Sequence, residues 1–159
     1  MSRFFFFVFI LMLLIGSVSA QQAKVIKLAE LQELINSKND AGVKVINFWA
    51  TWCAPCVKEL PLFEKVNQEN KNVKVILVSM DIDLDPDVQK VQKFIDRKKI
   101  LSQVYILDEH NPDVWINKIE KEWSGALPAT LLIGTNGKRK FIERELHEGE
   151  LESFIEILK

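Results

Sequence analysis

The chain has 159 residues, with 21 basic and 22 acidic side chains for a net charge of −1, and 48% of it is hydrophobic. That length fits one domain with a sizeable core, and the balanced charge leaves no basic footprint for nucleic acid. After the first twenty residues there is no repeat, low-complexity tract or Pro- or Ser-rich linker, which excludes a modular architecture.

The chain opens on Ser2 and Arg3, runs through uninterrupted apolar residues from Phe4 to Ile15, and reaches the small residues Val18-Ser19-Ala20. This order reads as a secretory signal peptide over residues 1–20, cleaved after Ala20 to leave one domain over residues 21–159. The alternative is an uncleaved membrane anchor, because the uncharged stretch extends to Gln22. Its strongly apolar part nevertheless falls short of the roughly 18 to 20 residues that a span needs. No cysteine follows the run to carry a lipid.

Leu28, Leu31, Leu34 and Ile35 recur at helical spacing before the turn residues Asn39, Asp40 and Gly42. Val43 to Trp49 is too continuously apolar for a half-exposed strand and is predicted as a central parallel one. From Cys53 to about Asn70, Val57, Leu60, Phe63 and Val66 mark one buried helical stripe, with Pro61 predicted to kink the helix without ending it. Val73 to Met80 is the next buried strand. Asp85 is then expected to cap a helix with Pro86 in its first position; Val88, Val91 and Ile95 face the core, and Arg97, Lys98 and Lys99 complement its C-terminal end. Gln103 to Leu107 adds a strand, and Pro112 to about Lys118 a short helix. Ala129 to Ile133 and Lys138 to Glu143 flank Asn136-Gly137 as an antiparallel hairpin. The last helix, about Gly149 to Leu158, presents Leu151, Phe154, Ile155 and Leu158 on one face. Alternating strands and helices predict an α/β fold whose central sheet is largely parallel.

The two cysteines lie in Trp52-Cys53-Ala54-Pro55-Cys56, at the junction of a predicted strand and helix. Unpaired N–H groups and the positive end of the helix dipole favour a thiolate there, which makes Cys53 the candidate nucleophile. Cys56, one turn on, is placed to attack the mixed disulfide as the resolving thiol. Pro55 suits the first turn, since its missing N–H leaves nothing unpaired, and with Ala54 it forms the loop between the thiols. A purely structural disulfide closing so short a loop would contribute only about 2 kcal/mol and pin no distant segments. A zinc site would need two further ligands, and only His110 and His147 remain, far apart in the sequence.

Asn47-Phe48-Trp49-Ala50-Thr51-Trp52-Cys53-Ala54-Pro55-Cys56 resembles the active-site segment of the thioredoxin superfamily, and Pro61 resembles that family's helix proline. Ala126-Leu127-Pro128-Ala129-Thr130 is similar to its cis-proline segment, and the resemblance spans nearly all of residues 21–159. It implies a thioredoxin-like fold, a central mixed sheet flanked by helices. In that fold Pro128 faces the couple, the Leu127 backbone pairs with an extended substrate segment, and Leu127 adds an apolar contact. An ordinary trans proline opening a strand is the alternative. Trp52 is a candidate exposed platform for substrate, whereas Trp115 and Trp123 are assigned to packing.

The details look most like the extracytoplasmic TlpA/ResA-type reductases. Asn47 stands where thioredoxin carries a buried aspartate, and Glu59 resembles the glutamate that these proteins place beside the couple. Glu59 would exchange a proton with Cys56 during resolution; the competing reading is a first-turn glutamate complementing the helix dipole. The strand and helix near Gln103 to Lys118 resemble this subgroup's insertion. The resemblance implies a periplasmic monomer that reduces protein disulfides, apocytochrome c being one client, with electrons from a membrane thiol-relay protein and no cofactor beyond the cysteine pair.

Several rival readings remain. An oxidase or isomerase would run the same chemistry in reverse. A copper-binding module would lack a third ligand, and Sco-type copper proteins differ both in cysteine spacing and in carrying a histidine near the Leu127-Pro128 position. A thiol peroxidase would need a Thr-x-x-Cys pattern that is missing before Cys53. Asp81-x-Asp83-x-Asp85 begins like a calcium loop, but Pro86 and Gln92 stand where glycine and glutamate belong, so a loop and helix cap is expected. His110 and His147 lie in polar stretches and are read as solvated.

Overall fold

The computed structural model describes residues 21–37, 42–83 and 87–159. The signal-peptide segment, the turn residues Asn39 and Asp40, and the Asp85-Pro86 cap fall outside them. Among the described residues the elements are β1 (Lys24–Ile26), α1 (Leu28–Asn36), β2 (Val43–Trp49), α2 (Ala54–Glu69), β3 (Val73–Ser79), α3 (Val88–Lys98), β4 (Gln103–Leu107), α4 (Pro112–Ile119), β5 (Ala129–Ile133), β6 (Arg139–Ile142) and α5 (Glu150–Leu158). A 3-10 turn, Asp81–Asp83, follows β3.

The strands form one sheet in the order β1-β4-β3-β2-β5-β6, a thioredoxin-like α/β arrangement. β2 is buried along its whole length and lies at a seam, parallel to β3 and antiparallel to β5. The expectation of a parallel central strand therefore holds on one side only. Alternation along β2 sends Val43, Val45 and Trp49 into a core containing Leu60, Phe63, Val91 and Ile155, and Ile46 and Phe48 into one containing Leu31, Trp115 and Trp123. Asn47 shares the first face, and there it meets α2.

Two features differ from the sequence expectations, β1 and the start of α3. β1, only three residues long, shows no readable alternation, yet it pairs with β4. The strand likened to an insertion, β4, lies inside the sheet between β3 and β1. α3 starts after Asp85 and Pro86, with Asp87 as its N-cap: the Asp87 carboxylate accepts from the Gln89 N–H at 2.9 Å. Pro61 sits inside an unbroken α2, as expected.

Lys44 is almost wholly buried, and its ammonium group donates to the carbonyls of Ile35 and Ser37 at 3.2 and 2.8 Å. It satisfies carbonyls at the end of α1 that the helix itself leaves unpaired. Burial holds its pKa below the usual lysine range.

Candidate active site

β2 ends at Trp49, a turn follows, and α2 begins at Ala54, so the residue that caps the helix is Cys53. Its Sγ accepts from the Cys56 N–H at 3.3 Å, which puts the sulfur against the open N–H groups of the first turn. Cys53 and Cys56 form a disulfide with Cα atoms 5.3 Å apart. The pair is asymmetric, since Cys56 is wholly buried whereas Cys53 keeps 6% of its surface exposed. Ala54 and Pro55 are exposed on the loop between them, and Trp52 projects beside Cys53 with 49% of its surface exposed.

The turn before Cys53 is fastened twice. Its backbone closes through Cys53 N–H to Ala50 O at 3.2 Å. From the end of β3, the buried Asp81 carboxylate accepts from the Thr51 N–H at 3.0 and 3.2 Å, from the Thr51 hydroxyl, and from the Ser79 hydroxyl at 2.7 Å. Asp81 is thus an anchor for the turn, a role that its calcium-like spacing concealed.

Glu59 is also buried, and it lies beyond the first turn of α2, so the reading as a first-turn dipole partner is corrected. Its Oε1 accepts from Asn47 Nδ2 at 2.8 Å and its Oε2 from the Leu146 N–H at 2.7 Å. Asn47 Nδ2 also donates to Thr130 Oγ1 at 3.1 Å, on β5. Burial raises the Glu59 pKa from 4.5 to about 7; the two hydrogen bonds oppose that rise, and nearby Glu145 adds to it. The result is a carboxyl group, one turn beyond Cys56, that exchanges its proton near neutrality. The segment after β6 that supplies Leu146 carried no sequence signal for this role.

Leu127-Pro128 is a cis peptide bond, as the sequence resemblance implied. Leu127 packs against the core cluster that holds both cysteines. The loop before it is clipped by Glu143, whose Oε1 accepts from Ser124 N–H, Ser124 Oγ and Ala126 N–H at 3.0, 2.5 and 3.0 Å. Trp52 and Leu127 meet along a cleft of about 390 Å³, backed by Trp115 and Ile116 of α4 and by Trp123. The two tryptophans pack edge to face with ring centroids 5.9 Å apart, so both are packing residues that also wall the cleft. Trp115→Ala is expected to cost about 3–5 kcal/mol, measured by urea unfolding.

Of the polar residues set aside at the outset, His110 is exposed and lies 3.9 Å from Asp108, and His147 is exposed. Among the described residues no group of three or more His, Cys, Asp or Glu side chains is arranged to hold a metal ion.

The family model described as Redoxin matches residues 18–154. The thiol-disulfide oxidoreductase ResA of Halalkalibacterium halodurans is 31% identical over 115 residues, which cover 72% of this chain and 61% of that protein. The chain therefore spans about three fifths of that relative's length. A putative thioredoxin from Neisseria meningitidis, solved in solution, superposes with a TM-score of 0.59 at 25% identity over 77% of this chain and 78% of its own. A secreted thiol-disulfide isomerase from Corynebacterium glutamicum gives 0.62 at 17% identity over 74% and 71%, a likeness of fold.

Proposed function

From the premise that this chain belongs to the Redoxin family of the thioredoxin superfamily, we propose that it is an extracytoplasmic thiol-disulfide oxidoreductase that reduces disulfides in client proteins. The observation that carries this reading is the unequal Cys53–Cys56 disulfide at the start of α2, with the outer sulfur on the helix cap and the inner one sealed in the core.

In the reduced protein the Cys53 thiolate attacks a client disulfide. A Cys53–client bond forms and the second client sulfur leaves as a thiolate. Cys56 then loses its proton, attacks Cys53 Sγ and expels the first client sulfur; the Cys53–Cys56 bond re-forms, two electrons have passed to the client, and its two thiolates take their protons from water. Glu59 takes the Cys56 proton, a role supported by its buried place on the same helix and by a pKa of about 7. Here the buried carboxyl sits on α2 and an amide occupies the strand position, the two being hydrogen-bonded. The exposed face of Trp52 and the Leu127-Pro128 edge receive the client chain, while Ala54 and Pro55 space the thiols.

The couple carries the electrons itself, so the chemistry needs no further cofactor. Recharging it in an oxidising compartment calls for a membrane thiol-relay donor. Clients are proteins with accessible disulfides, apocytochrome c among them, and the protein works as a monomer. An extracytoplasmic site is supported by the apolar run Phe4–Ile15 with Val18-Ser19-Ala20 after it, read as a signal peptide over residues 1–20, and by the ResA-type relatives.

The deciding measurement is the reduction potential of the couple, equilibrated against dithiothreitol with Cys53→Ser as the blank. A value near −270 mV, about that of thioredoxin, is the expected result for a reductase. One near −120 mV, about that of a strong oxidant of this fold, reverses the direction and makes the protein an oxidase.

A further inference from the structure

We propose that Asp81 is a charge-setting positioning residue for the couple: fixed against the turn that delivers Cys53, its carboxylate biases Cys53 and Cys56 toward the disulfide and keeps the pair reducing. The inference rests on the proposed disulfide exchange and concerns its direction.

Asp81 is 1% exposed, and both of its oxygens accept from donors that belong to the site's own frame. The Thr51 N–H reaches both oxygens, and Ser79 Oγ reaches Oδ2 at 2.7 Å. Thr51 is the second residue of the turn closed by Cys53 N–H on Ala50 O, and the neighbouring Met80 N–H binds Trp49 O at 2.8 Å. The anion is therefore bonded to the residue two positions before the nucleophile, in a buried place where salt screens it weakly.

Its effect follows from which form of the couple is charged. The disulfide is neutral and indifferent to a nearby anion. The reduced pair gains stability from a Cys53 thiolate at the helix start, and a fixed negative charge opposes that stabilisation. Strong oxidants of this fold are those whose reduced form is stabilised, so an anion at this point moves the couple the other way.

The test is equilibration with glutathione at pH 8, where the thiolate is populated. Two glutathione thiols give up two electrons and two protons, the Cys53–Cys56 bond breaks, and glutathione disulfide forms. Asp81→Asn keeps an acceptor for the Thr51 N–H and removes the charge. It is expected to be reduced about three- to tenfold more readily than the parent, and its Cys53 to be alkylated by iodoacetamide at lower pH. Thr51→Val removes one hydrogen bond and keeps the charge, and it should move the equilibrium by less than about twofold. An Asp81→Asn equilibrium within about twofold of the parent overturns the inference, and so does a Thr51→Val shift as large as that of Asp81→Asn. Asp81→Ser serves as a second neutral variant; if neither folds by circular dichroism, Asp81 is a structural residue and the inference fails. Insulin reduction by the parent separates the two readings, since its absence sinks the proposed function while the glutathione equilibria still decide the role of Asp81.

Discussion

Cys56→Ser is expected to stop turnover and to accumulate as a covalent adduct with its client through Cys53. The buried position of Cys56 makes it inaccessible to a protein substrate, so only Cys53 can engage first. Without the resolving thiol the mixed disulfide has no internal exit. Insulin reduction should fall on the order of a thousandfold or more in both Cys53→Ser and Cys56→Ser, since the two residues act as one unit. Non-reducing gels and intact-mass spectra distinguish them: an adduct of protein plus client in Cys56→Ser and none in Cys53→Ser. An adduct in Cys53→Ser alone would reverse the assignment.

Glu59→Gln should make the protein more stable above neutrality and slower in turnover. The Glu59 pKa is raised from 4.5 to about 7 in the fold, so the native state holds this proton more tightly than the unfolded chain does. Below about pH 4.5 both states are protonated and the group has no effect on stability. Stability falls as pH rises from 4.5 through 7, and the penalty is then constant at about 3 kcal/mol. Glutamine, neutral at every pH and able to accept from Leu146 or Asn47, carries no such penalty. Urea unfolding of the two proteins should therefore coincide near pH 4 and diverge by up to about 3 kcal/mol at pH 8. The variant should also lose the limb near pH 7 in the pH dependence of mixed-disulfide resolution. Coincident unfolding at pH 8 would mean that Glu59 is solvated and takes no proton from Cys56.

The cysteine pair and the helix it opens were legible because the sequence carries them locally: a largely apolar strand, a helix-start proline and two thiols three positions apart. α1, β2, β3, β4 and the β5–β6 hairpin were equally plain from periodicity and turn residues. What escaped depends on distant segments. β1 is three residues of ordinary composition that become a strand only because β4 offers an edge. Lys44 reads as a break in an apolar strand, and its burial makes sense only once the end of α1 lies over it. Asp81 looked like part of a metal-binding spacing, but its carboxylate is consumed by Thr51, which sequence distance hides. Glu143 and Leu146 carry no motif at all, yet one clips the loop before Leu127 and the other binds Glu59.

The pairing of Phe48 with Ala129 across the β2–β5 seam has a consequence for the order in which this molecule comes into being. During synthesis both thiols emerge well before the strand and proline edge that complete their surroundings. Non-local pairings of this kind form late, after the costly closure of a long loop. Until then the nascent chain carries two ordinary cysteines, open to any oxidant it meets. Competence in disulfide exchange is thus a property of the finished chain, and its appearance in a refolding experiment would time the arrival of β5 beside β2.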